Sequence, residues 1–257
     1  LRCPLPRSAR SAAGGGFWDA HPPTGTNGSR MGRPQGPGGE VRIGPGRFIA
    51  ISGNIGAGKS TLVEFLTTHF RILPMYEPND ENPYLADFYA DMPRWAFHSQ
   101  LFFLIRKFKL HLEMQKAPAD VPVILDRTIY EDAEVFAANL AAMGALPPRE
   151  FATYMQMYRT LVEVLRPPDL LIHLRCPLAV TRRRIAMRGR PEERALPDEY
   201  LRRLGRRYDR WFAAYDRSPT LLIRTDRIDY VTDLVDQVGV LETIERAVGG
   251  LPRRGGE

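Results

Sequence analysis

The chain has 257 residues, of which 44% are hydrophobic and 26% are charged, and its formal net charge is +6. Residues 1–40 carry five arginines against two acids and so hold +3 of that charge, which leaves a body too mildly basic to argue for nucleic-acid binding. The two cysteines form neither a disulfide framework nor a metal-binding spacing, and no apolar run approaches the roughly 18 residues of a membrane span, so we expect a cytoplasmic protein that does not insert into membranes.

The first 45 residues are rich in Gly, Pro, Arg and Ser and have no helical or strand period, so we expect a disordered tail. An arginine-rich start is also typical of an organellar transit peptide. The chain begins at Leu1, however, and Met31 lies just upstream of the first predicted strand, which favours Met31 as the natural first residue. Mass spectrometry of the native N-terminus distinguishes the two interpretations.

A glycine-rich run lies between the apolar stretch Phe48–Ser52 and the helical pattern Leu62–Leu66, which is the context that a P-loop requires. Its glycines let backbone N–H groups face an anion, and the helix N-terminus adds a positive end. Lys59 can reach the terminal phosphates of a nucleotide, and Ser60 can ligate Mg²⁺. A glycine-rich turn without a ligand would not explain this Lys-Ser pair. The predicted phosphate-binding residues are Gly53, Asn54, Ile55, Gly56, Ala57, Gly58, Lys59, Ser60 and Thr61.

Apolar runs alternate with helical patterns along the rest of the chain, which predicts βαβ units and an α/β fold with a parallel sheet covered on both faces. The predicted strands are Phe48–Ser52, Arg71–Tyr76, Val121–Asp126, Leu170–Leu174 and Thr220–Arg224. Ligands of such sheets bind beyond the carboxyl ends of the strands. The residues at those ends are Glu77, Asp126, Arg127, Arg175 and Thr225.

Glu77 follows the second predicted strand, on the same rim of the sheet as the P-loop. A kinase needs a group that accepts the proton of the attacking hydroxyl, and a carboxylate there has the right chemistry. An exposed loop glutamate is the alternative interpretation. Further along, Gln100 lies within an apolar helix that runs from Trp95 to Phe108. Its amide needs partners, which either the protein or a nucleobase can supply.

Asp126 and Arg127 end the third predicted strand. A carboxylate at this position can hold Mg²⁺, and Arg127 can orient Glu77 or the phosphates. A structural ion pair between these residues is the alternative. Downstream, Arg184 and Arg188 fall on one helical face, and the segment from Arg188 to Pro197 reads as a lid that closes over the transferring phosphate. The alternative there is a charged surface helix followed by a loop.

Five motifs occur in one order: the P-loop, Glu77-Pro78, the Trp95-x4-Gln100 helix, the run from Asp126 to Asp132, and Arg188-Gly-Arg190-x2-Glu193. Together they resemble the deoxyribonucleoside kinase family over residues 46 to about 248. The run from Glu77 to Leu85 is most similar to bacterial deoxyadenosine and deoxyguanosine kinases. The resemblance implies a P-loop kinase fold with a five-stranded parallel sheet, helices on both faces, an arginine-rich lid and assembly as a homodimer.

The resemblance also implies a role for individual residues. Glu77 is the base for the sugar 5′-hydroxyl with Arg127 beside it, and Ser60 and Asp126 serve Mg²⁺. The remaining implied positions are Tyr89 and Glu193 at the 3′-hydroxyl, Gln100 and Asp132 at the base edge, Phe136 on the base face, and Arg184, Arg188 and Arg190 in the donor-phosphate lid.

Two positions depart from the family pattern, and a third is undecided. Thr128 stands where relatives commonly have Ser, and Asn82 stands where some relatives have an aromatic residue. A second base-reading cation would fall on Arg106 or Lys107, and the sequence does not distinguish them.

We therefore expect a kinase domain over residues 46–248, followed by a flexible C-terminus at 249–257. The expected activity is ATP- and Mg²⁺-dependent conversion of a deoxynucleoside, deoxyadenosine and/or deoxyguanosine, to its 5′-monophosphate in nucleotide salvage. The expected partner is a small-molecule nucleoside and not a nucleic acid. A nucleoside monophosphate kinase or another small-molecule P-loop kinase is the nearer alternative, and a nucleic-acid-binding P-loop ATPase is the more distant one.

Overall fold

A computed structural model of the protein describes residues 43–76, 81–190, 193 and 196–252. Several predictions lie outside these residues: most of the N-terminal tail with Met31, the proposed base Glu77, parts of the lid, and the end of the C-terminus. Within the described part, Ile43 and Leu251 are both buried in the core. The folded core therefore extends slightly beyond the predicted limits of 46 and 248.

Five parallel strands form one sheet with the order β2-β3-β1-β4-β5, which confirms the predicted fold class. The strands are β1 (Phe48–Gly53), β2 (Leu73–Met75), β3 (Val123–Asp126), β4 (Leu170–Arg175) and β5 (Thr220–Arg224). Each predicted strand is present, but β2 is shorter than the predicted Arg71–Tyr76. It is an edge strand that pairs only with β3, and Pro74 within it has no N–H to donate to a ladder.

The helices follow the strands in alternation. They are α1 (Lys59–His69), α2 (Leu85–Ala90), α3 (Met92–Gln115), α4 (Ile129–Glu131), a π-helical segment (Asp132–Ala137), α5 (Ala138–Ala142), α6 (Pro148–Val162), α7 (Leu178–Arg188), α8 (Asp198–Ala214) and α9 (Leu234–Gly249). Among the residues that the structure describes, no helix combines the length and the apolar character needed to cross a bilayer.

The sheet lies between two hydrophobic cores. Alternate residues of β1 point to opposite faces, so that Phe48 and Ala50 join one core while Ile49 and Ile51 join the other. The first core includes buried side chains of α3, the π-helical segment, α6 and α8, and the second includes those of α1 and α9. Because both faces are covered, all six residues of β1 are buried, and the sheet presents its carboxyl rim as the place for ligands.

Candidate active site

The P-loop connects β1 to α1 and takes the backbone shape that its glycines permit. Gly53, Gly56 and Gly58 all have positive φ angles. At Gly53 a Cβ atom would lie 2.6 Å from the carbonyl oxygen of Leu174, so a larger residue does not fit there. The Lys59 ammonium donates to the carbonyls of Gly53 and Asn54, at 3.0 Å in each case, and so lies within the loop. This arrangement places a cation beside a ring of backbone N–H groups.

Ser60 and Asp126 meet at the start of α1 and the end of β3. The Ser60 hydroxyl donates to Oδ2 of Asp126 over 2.7 Å. Oδ1 of Asp126 is buried and has no hydrogen-bond partner among the described residues. A hydroxyl and a carboxylate oxygen are ligands that suit Mg²⁺, so the two residues fit the predicted metal position.

Arg127 has an unusual backbone. Its φ angle is +66°, and among the described residues it is the only one besides glycine with a positive φ. Its guanidinium lies over the ring of Phe136, with Cζ 4.5 Å from the ring centroid, and one nitrogen approaches the carbonyl of Gly53 at 3.5 Å. The side chain is therefore fixed between the P-loop and the π-helical segment, on the cavity side.

Glu131 is a buried carboxylate that joins several of these elements. It accepts hydrogen bonds from the N–H of Gly53 at 3.3 Å, the N–H of Thr128 at 2.9 Å and the hydroxyl of Tyr208 at 3.0 Å. Its Oε1 lies 4.0 Å from Nε of Arg127. Burial raises the pKa of Glu131, and the Arg127 charge opposes that shift. The sequence analysis did not single out Glu131, although its position three residues after Thr128 is the spacing of a capping box, which the structure contains.

A cavity of about 270 Å³ opens beside the P-loop. It brings together eight of the predicted substrate or lid positions with the phosphate-binding residues. The predicted residues that line it are Ile55, Gly56, Lys59, Ser60, Tyr89, Gln100, Asp126, Arg127, Asp132, Phe136, Arg188, Arg190 and Glu193. One continuous space thus runs from the phosphate loop to the residues expected at the sugar and the base.

The far end of the cavity is formed by α3 and the π-helical segment. Gln100 and Asp132 are both buried there, and Oε1 of Gln100 accepts no hydrogen bond from any described residue. Behind this end Tyr154 is fully buried, and its pKa is raised by burial and by the charge of Asp132. The end combines hydrogen-bonding groups with the ring of Phe136, which is the chemistry that a flat heterocycle requires.

The π-helical segment is bound on its other side as well. Glu134 accepts hydrogen bonds from the hydroxyl of Tyr158 in α6 and from the indole N–H of Trp211 in α8, the latter at 2.7 Å. π-Helical turns are rare and occur frequently at functional sites. Asp132 and Phe136 of this segment therefore line the cavity, while Glu134 holds the segment to α6 and α8.

The predicted lid arginines divide between two places. Arg188 and Arg190 line the cavity and both pair with Oε1 of Glu193, at 3.1 and 3.5 Å. Arg184 lies behind the P-loop, where it donates to the carbonyl of Ala57 at 3.0 Å and to the hydroxyl of Thr225 at 2.8 Å. α7 ends at Arg188, where the next residue, Gly189, adopts the left-handed conformation.

Arg184 contributes instead to a neighbouring groove, which also contains Tyr230. The Tyr230 hydroxyl donates to the carbonyl of Gly58 at 3.1 Å, and burial raises its pKa to about 12. Both residues therefore hold P-loop carbonyls from this groove, which shares Gly56 and Arg188 with the main cavity.

The structure also places the residues at the positions that depart from the family pattern. Lys107 is fully buried and Arg106 is paired with Glu81 at the surface, and neither lines the cavity. Asn82 is buried and donates to the hydroxyl of Ser99 at 3.0 Å, so its amide connects the start of α2 to α3.

Several cavity residues were missed by the sequence analysis. They are mostly apolar or aromatic side chains: Glu64, Tyr76, Leu85, Phe88, Phe103 and Tyr200. Phe103 is three residues after Gln100 on α3, so helical spacing was a usable signal for it. Tyr200 lies on α8, far along the chain, and only the tertiary fold brings it to the cavity.

Comparison with known proteins matches most of this chain to one family. The deoxynucleoside kinase family model matches residues 49–249. The chain is 37% identical to a deoxyguanosine kinase of Lactobacillus acidophilus, over 79% of this chain and 93% of that protein. It is 34% identical to a deoxyadenosine kinase of the same organism, over 80% of this chain and 99% of that protein.

A solved structure of deoxyadenosine kinase from M. mycoides with bound dATP superimposes with a TM-score of 0.67 and 27% identity, over 78% of this chain and 99% of that one. The matched span covers the P-loop, the cavity and both lid arginines at the cavity. The resemblance deduced from the five motifs is thus confirmed, and the chain belongs to the deoxynucleoside kinase family.

Proposed function

We propose that this kinase transfers the γ-phosphoryl group of ATP, with Mg²⁺, to the 5′-hydroxyl of a purine deoxynucleoside. The single observation that carries the proposal is the continuity of the cavity, which joins Lys59 and Ser60 at one end to Gln100 and Asp132 at the other. A triphosphate at the P-loop and a nucleoside at the far end would then face each other.

The phosphate end supplies charge. Lys59, Arg188 and Arg190 are the cations that would stabilise the transferring phosphoryl group, with Arg127 at the boundary between phosphate and sugar. Mg²⁺, when bound through Ser60 and Asp126, would neutralise charge on the phosphate oxygens. Arg188 and Arg190 now share Glu193, so binding of a more highly charged phosphate chain would draw them away from this carboxylate.

The acceptor end supplies orientation. Glu77 would accept the proton of the 5′-hydroxyl as the phosphoryl group is transferred, a role proposed from its sequence position alone. Tyr89 and Glu193 line the cavity and would hold the 3′-hydroxyl, and Oε2 of Glu193 has no hydrogen-bond partner among the described residues. Both residues would thereby fix the sugar for in-line attack.

A purine base fits the remaining groups. Phe136 offers a face for stacking, while Gln100 offers both a donor and an acceptor and Asp132 an acceptor. The names of the relatives support a purine as well, since those reported above act on deoxyguanosine or deoxyadenosine. We also propose a cytoplasmic homodimer in nucleotide salvage. Ile105 on α3 is 52% exposed and is available to a helix pair between subunits.

A coupled assay over the four common deoxynucleosides and their ribonucleoside counterparts tests the activity. We expect monophosphate formation that requires ATP and Mg²⁺ and is fastest with a purine deoxynucleoside. A monophosphate kinase would instead phosphorylate dAMP and leave free nucleosides unchanged. A nucleic-acid-dependent ATPase would bind DNA in a salt-sensitive way and transfer little phosphate to nucleosides. Either result would overturn the proposal, and light scattering of the purified protein tests the dimer.

A further inference from the structure

Lys107 is a buried cation that does not line the cavity. Its side chain is 0% exposed, and its ammonium donates to two successive backbone carbonyls, those of Asp126 at 3.0 Å and Arg127 at 2.9 Å. A lysine is almost never fully buried unless it has specific partners. These two carbonyls belong to the two residues whose side chains face the phosphate end of the cavity.

The carbonyls lie where the regular sheet stops. Arg127 still donates its N–H to the carbonyl of Ile51, at 2.9 Å, as the last rung of the ladder between β1 and β3. In a parallel ladder the next rung would pair the N–H of Gly53 with the carbonyl of Arg127. Gly53 donates to Glu131 instead, so the Arg127 carbonyl turns to Lys107.

This change of partner coincides with the left-handed backbone of Arg127. A non-glycine residue with a φ of +66° is strained and persists only where its surroundings hold it. Hydrogen bonds from one ammonium to the carbonyls on both sides of the Arg127 N–Cα–C unit are such a restraint. Release of the restraint would let the backbone relax and turn both the Asp126 carboxylate and the Arg127 guanidinium away from their present positions.

α3 presents a row of polar side chains to this segment. Gln100 faces the cavity, Lys107 holds the end of β3, and one turn later Nε2 of His111 accepts from the N–H of Ile129 at 3.5 Å. The neighbouring cation on α3, Arg106, is paired with Glu81 at the surface and does not reach the interior. The positive charge opposite the end of β3 is therefore that of Lys107.

We propose that Lys107 is a positioning residue, which fixes the strained backbone of Asp126 and Arg127 so that their side chains meet the phosphates, and that it does not read the base. The inference rests on the proposed kinase reaction. The two possible roles of Lys107 predict different effects of its substitution. Loss of a base-reading cation would affect one nucleobase more than another, whereas loss of a residue that orients the phosphate end would affect every acceptor nucleoside alike.

The test is the kinetics of Lys107→Met, which keeps the length of the side chain but removes its hydrogen bonds. The wild-type protein is assayed first, so a failure of the proposed function is detected independently, as the absence of nucleoside phosphorylation by any substrate. We then expect kcat of Lys107→Met to fall at least about tenfold with every accepted deoxynucleoside, since small misplacements of reacting groups have effects of that size. The nucleoside KM should change less than about threefold, within the ordinary spread for a site whose binding contacts remain.

Arg106→Met is the matched control, because it alters the adjacent cation on the same helix without touching the end of β3. It should retain wild-type kcat and KM. If Lys107→Met does not fold, Lys107→Gln replaces it, since its amide can still donate to one carbonyl. Lys107→Gln should show the same uniform loss of kcat to a smaller degree.

A double substitution tests the link to Arg127 directly. Arg127→Gly removes the guanidinium and also the strain of a positive φ, so adding Lys107→Met to it should lower kcat much less than Lys107→Met does alone. Three results would overturn the inference. The first is an unchanged kcat in the folded Lys107→Met or Lys107→Gln variant, and the second is a rise in KM confined to one nucleobase. The third is full additivity of the two substitutions in kcat.

Discussion

The hydroxyl of Ser60 donates to Oδ2 of Asp126 over 2.7 Å and so joins the first turn of α1 to the last residue of β3. The contact crosses between elements that are 66 positions apart in the chain. The other carboxylate oxygen, Oδ1 of Asp126, is buried and has no hydrogen-bond partner among the described residues. Both oxygens of this carboxylate are therefore near α1, where we propose that Mg²⁺ binds.

Asp126→Asn should therefore weaken the magnesium dependence. An amide is neutral and a poorer ligand for Mg²⁺, so the Mg²⁺ concentration at half-maximal rate should rise at least about tenfold. The measurement is initial rate against free Mg²⁺ at saturating nucleoside. Asp120→Asn, at an exposed position before β3, is the control and should behave as the wild type. An unchanged Mg²⁺ requirement in Asp126→Asn would place the metal elsewhere.

Glu77→Gln should separate catalysis from ATP binding. Without a carboxylate to take the proton of the 5′-hydroxyl, kcat should fall by about 10² or more. Affinity for ATP, measured by calorimetry, should change little because the P-loop is intact. Glu81→Gln removes a nearby exposed carboxylate and should keep nearly full turnover. If Glu77→Gln turned over at the wild-type rate, another residue would be the base.

Asp132→Asn should alter the preference among acceptor nucleosides and leave the binding of the donor ATP unchanged. A carboxylate only accepts hydrogen bonds, so it favours a base that offers an exocyclic amino group, and replacing one oxygen with an amide donor disturbs that match. We expect kcat/KM for deoxyadenosine to fall about tenfold while KM for ATP stays the same. Asp87→Asn on the exposed face of α2 is the control. Equal losses for all nucleosides would show that Asp132 does not contact the base.

Acid should destabilise the fold through a buried histidine. His173 lies in β4, hydrogen-bonded to Ser52 and stacked on Phe212, and burial, with help from the charges of Lys59 and Arg175, lowers its pKa to about 3. Folded His173 stays neutral, whereas the unfolded chain takes up a proton near pH 6.5, so its contribution is complete above pH 6.5 and is lost as the pH falls toward 3.

Between pH 6.5 and 5 this loss amounts to about 2 kcal/mol for His173. Urea unfolding of the wild type and His173→Gln at both pH values measures it. The variant should be less stable at pH 6.5 but should lose about 2 kcal/mol less on acidification. His69→Gln, at an exposed position in α1, should follow the wild type. Parallel pH dependence of wild type and His173→Gln would show that His173 takes up its proton as readily in the folded protein as in the unfolded chain.

Local patterns predicted much of the fold. The strands β1, β3, β4 and β5 were evident as apolar runs, and the P-loop was evident because its chemistry depends on adjacent residues. The edge strand β2 was overpredicted because its apolar residues continue beyond the pairing that Pro74 and a single neighbour allow. Within the site, Arg127 was predicted from its place at a strand end.

Other parts of the site depend on contacts between distant residues. Glu131 connects Gly53, 78 positions earlier, with Tyr208, 77 positions later. The role of Lys107 depends on a backbone angle at Arg127 that no residue pattern announces, because arginine has no preference for the left-handed region. Arg184 and Arg188 were predicted to share one helical face, and both line the groove that contains Tyr230, but only Arg188 also lines the main cavity.

The π-helical turn at residues 132–137 constrains how this enzyme can change. α4, the π-helical segment and α5 form one uninterrupted helix, and the wide turn holds one residue more than an α-helical turn would. Substitutions at Asp132 or Phe136 alter the lining of the cavity while the number of residues in the helix stays the same. Deletion of one residue there would shift every later residue of this helix by one position and would break the hydrogen bond between Glu134 and Trp211. Altered specificity in this lineage should therefore arise by exchange of side chains, with the length of this helix preserved.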